Sequence, residues 1–127
     1  DQLNQIGFYS NSIKIGVQEQ LAEKLGQLSG KTDYQLFLCN SGAEANEAAM
    51  KLVRKHSREK YGENRFDVIT ALASFHGRTI GTISATGQDK VKKGFEPMTP
   101  GFRHVPFNDL QAMRAAISQA TLSTAPR

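Results

Sequence analysis

Apolar residues recur along the chain with two different periods. Val17, Leu21, Leu25 and Leu28 fall at spacings of 4, 4 and 3, which predicts an amphipathic helix from Gly16 to Leu28 that stops at Gly30. Tyr34 to Cys39 is a short apolar run of strand length, bounded by Lys31-Thr32-Asp33 and by Asn40-Ser41-Gly42. Ala43 to Tyr61 is the clearest helix. Ala45, Ala48, Ala49, Leu52, Val53 and His56 share one side, Ala is the best helix former, Glu47 and Lys51 form a favourable i,i+4 pair, and Gly62 closes the run. Phe66 to Leu72 reads as a strand, Ser74 to Arg78 as a turn and Thr79 to Thr86 as a short helix. Residues 87–102, with Gly87, Gly94, Pro97 and Pro100, form a long irregular connection of the kind that lines sites. Arg103 to Phe107 reads as a strand, and Asn108-Asp109 caps a helix from Leu110 to about Gln119; residues 121–127 carry no pattern.

This order of strands and helices predicts an α/β fold with parallel neighbours joined by right-handed crossovers. The 127 residues suit one domain, and 39% apolar content is that of a globular chain. No window approaches the roughly 18 apolar residues of a membrane span, and the start of the chain does not read as a secretory signal. The single cysteine, Cys39, excludes an internal disulfide, suits a reducing compartment and is expected to be an inert buried thiol. The net charge is only +4. Six basic side chains lie between Lys51 and Arg65, but Glu59 and Glu63 interrupt them and no aromatic stripe accompanies them; a solvated helix face fits better than a nucleic-acid surface.

Two short segments carry candidate chemistry. Asn40-Ser41-Gly42-Ala43-Glu44 joins the first predicted strand to the clearest helix, and Ser41 with Glu44 three residues later is a capping-box pattern. Gly42 has no Cβ, so a ligand can approach the backbone, and the first-turn N–H groups suit a phosphate. The pattern equally fits a plain capped helix, and it matches neither the Walker A nor the dinucleotide glycine pattern. Ser74-Phe75-His76-Gly77-Arg78-Thr79 follows the second predicted strand. If the two strands are parallel neighbours, both segments lie at one carboxyl edge of the sheet, where α/β folds bind ligands. Phe75 then offers a flat apolar face and Arg78 a planar fork for a carboxylate, although a core Phe75 and an ion-paired surface Arg78 also fit.

Asn40-Ser-Gly-Ala-Glu-Ala-Asn-Glu-Ala-Ala-Met-Lys-Leu-Val-Arg54, followed by Ser74-Phe-His-Gly-Arg-Thr79, closely resembles the class III pyridoxal-phosphate aminotransferases, and within them the acetylornithine/ornithine branch. Leu21-Ala-Glu-Lys-Leu25, Ala85-Thr-Gly-Gln88 and Val105-Pro-Phe-Asn-Asp109 resemble it too, and the likeness runs from about Gly7 to Ile117. The resemblance implies the front part of a fold type I (aspartate aminotransferase-like) large domain, mainly a parallel sheet with flanking helices. Residues 1–15 would be an N-terminal segment, 16–120 a partial cofactor-binding domain and 121–127 an irregular tail. It implies that Gly42 and Ala43 give backbone N–H groups to the phosphate of pyridoxal 5'-phosphate with Ser41 close by, that Phe75 lies against the pyridine ring, and that Arg78 holds the substrate carboxylate. His76 is expected to pack behind the pocket. His56 and His104 are expected to be structural or surface residues, Asn46 and Glu47 helix-surface or dimer-contact residues, and no metal is implied.

The activity implied is ping-pong amino transfer from N-acetylornithine or a similar ω-amino acid to 2-oxoglutarate, in arginine biosynthesis, by a cytoplasmic homodimer with its active site at the subunit interface. Ornithine, succinylornithine and 4-aminobutyrate aminotransferases, mutases and decarboxylases of the same class are the alternatives, with a non-catalytic binding module as the reading from a different class. The family's Schiff-base lysine and the acid that pairs with the pyridine nitrogen lie downstream of Phe-His-Gly-Arg-Thr. None of the nine lysines stands in that context, so no catalytic residue is assigned. The chain is therefore expected to be part of a larger subunit, inactive by itself, with exposed apolar faces and unpaired strand edges.

Overall fold

The computed structural model describes residues 4, 10, 12–31, 33–63 and 65–123, with side chains described through Ile117. It divides into two units, Asp1–Leu38 and Cys39–Arg127.

The first unit is built on α1 (Gly16–Ser29). Its end is set by Gly30, whose left-handed φ of 69° lets its N–H reach Gln27 O while Lys31 N reaches Gly26 O. These two bonds are a Schellman cap, and they satisfy carbonyls that the last turn would otherwise leave bare. The predicted apolar stripe is present but uncovered: Val17, Leu21, Leu25 and Leu28 are all exposed.

The expected strand over 34–39 does not form. A strand exists through its ladder, and the described sheet has two members only, neither of which pairs this run. Tyr34 and Phe37 are exposed, and the boundary between the units falls inside the segment. Apolar content alone predicted a strand here; pairing decided against it.

The second unit contains α2 (Gly42–Tyr61), β1 (Val68–Ala71), α3 (Ile80–Ala85), a 3-10 turn over Asp89–Val91, β2 (Phe102–Val105) and α4 (Leu110–Ser123). β1 and β2 pair in parallel, Val68 opposite Phe102 through Ala71 opposite Val105. The parallel crossover is thus the stretch from β1 through α3 to β2, rather than the expected one through α2. Asp109 Oδ1 accepts from Ala112 N at 2.9 Å and caps α4 as expected, but the helix runs on to Ser123, into the expected irregular tail.

The core of this unit is unusually polar. Thr82, Ile83, Ser84, Ala85 and Thr86 are buried together with Thr70, Val105 and Ala116. Small side chains let α3 approach the strands closely, and each buried hydroxyl has a partner. Thr70 Oγ1 donates to Ala85 O at 2.8 Å, Ser84 Oγ to Ile80 O at 2.7 Å and Thr86 Oγ1 to Thr82 O at 2.9 Å. Each would otherwise cost about 1–3 kcal/mol. Large apolar side chains lie outside this core: Leu52, Ile80, Phe107 and Leu110 are all more than half exposed.

The basic face of α2 is tied down locally. Lys55 pairs with Glu59 at 3.8 Å and Arg58 with Glu63, while Arg54 donates to Pro100 O at 2.8 Å with its guanidinium 5.1 Å from the centre of the Phe102 ring. No described helix is long and apolar enough to cross a membrane.

Candidate functional site

The first turn of α2 is organised by Ser41, in an extended conformation (φ −153°, ψ 161°), whose Oγ accepts from Glu44 N at 3.2 Å. The expected capping box closes only on this side. The Glu44 carboxylate takes the N–H of Asn40, at 2.5 Å, rather than that of Ser41. An α-helix gives its first amides no carbonyl partner four residues back, so Gly42 and Ala43 present free N–H groups at the positive end of a 20-residue helix. Gly42 is exposed, and a Cβ built there meets nothing within 4 Å. Cys39 corrects the expectation of a buried thiol: it is exposed, and its Sγ donates to Ser41 O at 3.5 Å.

The second segment leaves the end of β1. Ser74 is fastened to the crossover, its Oγ accepting from Gly87 N at 3.2 Å and its carbonyl accepting from Gln88 Nε2 at 3.1 Å. His76 N donates to Thr86 Oγ1 at 3.0 Å, and His76 O accepts from Asn46 Nδ2 at 2.8 Å. Gly77 follows with φ +132°, and a Cβ there would lie 2.8 Å from Ala43 Cβ and 2.6 Å from Thr82 Oγ1. Thr79 caps α3 in a capping box with Thr82.

The two segments therefore meet, although the strand expected ahead of the first is missing. What joins them is side-chain and backbone contact between α2 and the 74–79 loop. The Phe75 ring is 59% exposed and Arg78 is exposed beside it, its guanidinium 6.0 Å from the ring centre. Among the described residues Arg78 has no carboxylate partner. A core phenylalanine and an ion-paired arginine were the alternatives at these positions, and neither describes this geometry. His76 is half-buried, its Nδ1 3.4 Å from Ser74 Oγ.

Asn46 and Glu47, expected as helix-surface or dimer-contact residues, are not plain surface positions: both bond to this loop or to the start of α3 behind it. Glu47 Oε1 accepts from Thr79 Oγ1 and from Thr82 N, the latter at 3.2 Å. The signal was in the register: they stand three and four residues after Ala43, hence on the same helix face.

His104 on β2 is half-buried and bonded on both ring nitrogens. Nε2 lies 2.9 Å from Lys92 Nζ and Nδ1 2.8 Å from Thr70 Oγ1. An ammonium can only donate, so Nε2 is the acceptor, the ring is neutral, and Nδ1–H points at Thr70. Burial above all, then the Lys92 charge, holds its pKa below the usual 6.5, against a smaller opposing effect of Asp89. Lys92 is thus engaged in the fold, its side chain only 14% exposed. Among the described residues no group of three or more His, Cys, Asp or Glu side chains is placed to hold a metal.

Free amides beside an open glycine suit a phosphate, an uncovered phenylalanine suits the face of a planar ring, and an unpaired guanidinium suits a carboxylate. One small molecule with an anionic tail on an aromatic ring, acting on an amino acid, would use all three.

A family model described as "Aminotransferase class-III" matches residues 1–125. An acetylornithine aminotransferase of Bacillus cereus is 49% identical over 119 residues, covering 94% of this chain and 29% of that protein. Among solved structures, a Bacillus anthracis aminotransferase superposes with a TM-score of 0.77 at 35% identity, over 88% of this chain and 25% of its own. An ornithine aminotransferase from Toxoplasma gondii, with partial occupancy of PLP at its active site, gives 0.81 at 26% identity, over 92% and 28%. The chain spans about 29% of the length of the curated relative.

Proposed function

This chain belongs to the class-III aminotransferase family, and on that premise we propose that it is the cofactor-phosphate and carboxylate-binding part of a pyridoxal 5'-phosphate-dependent aminotransferase. The observation that carries the reading is the packing of the loop bearing Phe75 and Arg78 against the start of α2, through Gly77 beside the Ala43 side chain and the Asn46–His76 hydrogen bond, next to the free first-turn amides.

The amides of Gly42 and Ala43, with Ser41 beside them, bind the phosphate through charge-assisted hydrogen bonds; the helix dipole adds about 0.3–1 kcal/mol, up to ~2 when partly buried. Phe75 covers one ring face, a contact worth about 0.5–1.5 kcal/mol beyond burial. Arg78 holds the substrate carboxylate in a two-point fork, which orients the amino group. His76 packs behind the loop. Bound pyridoxal 5'-phosphate supplies an electron sink for the pair released when a C–H bond beside an amino group breaks. Proton transfer is assigned to none of these residues: no lysine here stands in the context of the family's Schiff-base lysine, and Lys92 is held by His104.

For the whole protein we propose amino transfer from N-acetylornithine to 2-oxoglutarate in arginine biosynthesis, by a cytoplasmic homodimer. The acetylornithine names of the relatives support this choice over ornithine, succinylornithine or 4-aminobutyrate, all of which share the carboxylate that Arg78 would hold. The test is carried out on the complete protein. Absorbance titration should show saturable binding of pyridoxal 5'-phosphate but much weaker binding of pyridoxal, which lacks the phosphate. Glutamate should form fastest from N-acetylornithine, and Arg78→Ala should raise KM for it. Equal affinity for pyridoxal would overturn the phosphate assignment, and a faster rate with another ω-amino acid would overturn the substrate.

A further inference from the structure

We propose that Asn46 and Glu47 are positioning residues: they lock the loop bearing Phe75 and Arg78 onto the helix bearing Gly42 and Ala43, and so govern how strongly Arg78 selects carboxylate-bearing substrates. The inference rests on the functional reading above and deepens it.

Residues 46 and 47 lie about 4.5–6 Å along the helix from Ala43, one turn below the free amides. From there each reaches a different end of the Arg78 segment. At one end Asn46 Nδ2 holds His76 O at 2.8 Å while Thr86 Oγ1 holds His76 N at 3.0 Å, so both backbone polar groups of residue 76 are engaged. At the other end Glu47 Oε1 takes the Thr79 hydroxyl and Thr82 N. Gly77 and Arg78 are bracketed between these points, and Phe75 directly precedes the first.

Glu47 is not a solvated surface charge. It is half-buried, it has no cation within ion-pair distance among the described residues, and both its bonds go to the start of α3. A Cβ at Gly81 would lie 2.5 Å from Glu47 Oε1 and 2.8 Å from Oε2, so the carboxylate rests against bare backbone. Phe75 and Arg78 themselves stay exposed. The arrangement is a fixed backbone presenting free side chains, which is what a recognition arm requires. Displacement of such an arm by about 1 Å can lower a rate by up to a hundredfold without unfolding anything.

The test uses the complete protein with pyridoxal 5'-phosphate and compares kcat/KM for an ω-amino carboxylate with that for the same amine lacking the carboxylate. In Asn46→Ala and Glu47→Ala, assayed at saturating cofactor so that any loss of the Phe75 ring contact falls on both substrates alike, the carboxylate-to-amine ratio should fall about tenfold. Glu47→Gln keeps an oxygen for Thr79 and Thr82 and should restore the ratio. Should Glu47→Ala not fold, Asn46→Ala and Thr79→Val, which release the two ends separately, read the same quantity. A ratio within about twofold of wild type in the loosened variants would overturn the inference, as would an equal loss on both substrates or no rescue by glutamine. A wild-type protein without saturable cofactor binding or carboxylate preference would overturn the functional reading, and this inference with it, before any variant is made.

Discussion

Replacing Gly77 by alanine tests the join between the two halves of the site. The backbone there has φ +132°, a region that L-residues avoid, so any side chain is strained by about 1–3 kcal/mol. The added methyl would also lie 2.8 Å from Ala43 Cβ and 2.6 Å from Thr82 Oγ1, and overpacking of this kind costs about 1–3 kcal/mol. The expected loss is therefore about 2–6 kcal/mol, a large part of the ~5–15 kcal/mol that holds a typical domain together. The two contributions separate in a double-mutant cycle. Ala43→Gly removes the 2.8 Å contact but leaves the φ strain and the Thr82 contact, at a cost of up to ~1 kcal/mol in helix propensity. Combined with Gly77→Ala it should recover about 1 kcal/mol. Urea unfolding followed by circular dichroism gives the stabilities. Pyridoxal 5'-phosphate titration shows whether displacement of the loop reaches Gly42 and Ala43. A Gly77→Ala loss below about 0.5 kcal/mol, or no coupling to Ala43, would refute the contact that unites the site.

Ser41→Ala removes the acceptor for Glu44 N and should cost about 1 kcal/mol in urea unfolding, with weaker cofactor binding as the helix start frays. His104 is neutral in the folded state with its pKa held below 6.5, so between that lowered value and 6.5 the unfolded chain binds the extra proton. Its contribution to stability is complete above 6.5 and declines as the pH falls below it; the urea midpoint should drop as the pH is lowered through 6.5, and His104→Gln should flatten that dependence. Asp67→Asn breaks the 2.7 Å pair with Arg103 Nε, whose partners are only 18% and 34% exposed, and should cost about 1–3 kcal/mol, read from the shift in thermal midpoint.

The elements that follow from local rules are those visible in the residues. Gly30 ends α1 because only glycine takes a left-handed cap cheaply, Ser41 starts α2 by bonding Glu44 N, and Asp109 starts α4 in the same way. The candidate site was equally legible as residue types: a bare first turn, a flat ring and a planar fork. Strand pairing was not legible. Tyr34 to Cys39 has the composition of a strand and no ladder in the described sheet, while Val68–Ala71 finds its parallel partner 34 residues on. Burial was not legible either, since it depends on what covers a side chain. Cys39 is exposed despite apolar neighbours, while Thr82, Ser84 and Thr86, polar residues, are buried in and just after α3. Asn46 and Glu47 looked like ordinary polar positions on an exposed helix until the 74–79 loop packed against them. The sequence by itself determined the capped helix ends at Gly30, Ser41 and Asp109, and which residue types could meet a phosphate, a ring and a carboxylate, because those properties are local. Only the tertiary structure decided that the segments bearing these groups lie together, because that depends on a contact between Ala43 and Gly77 and a hydrogen bond across 30 residues from Asn46 to His76.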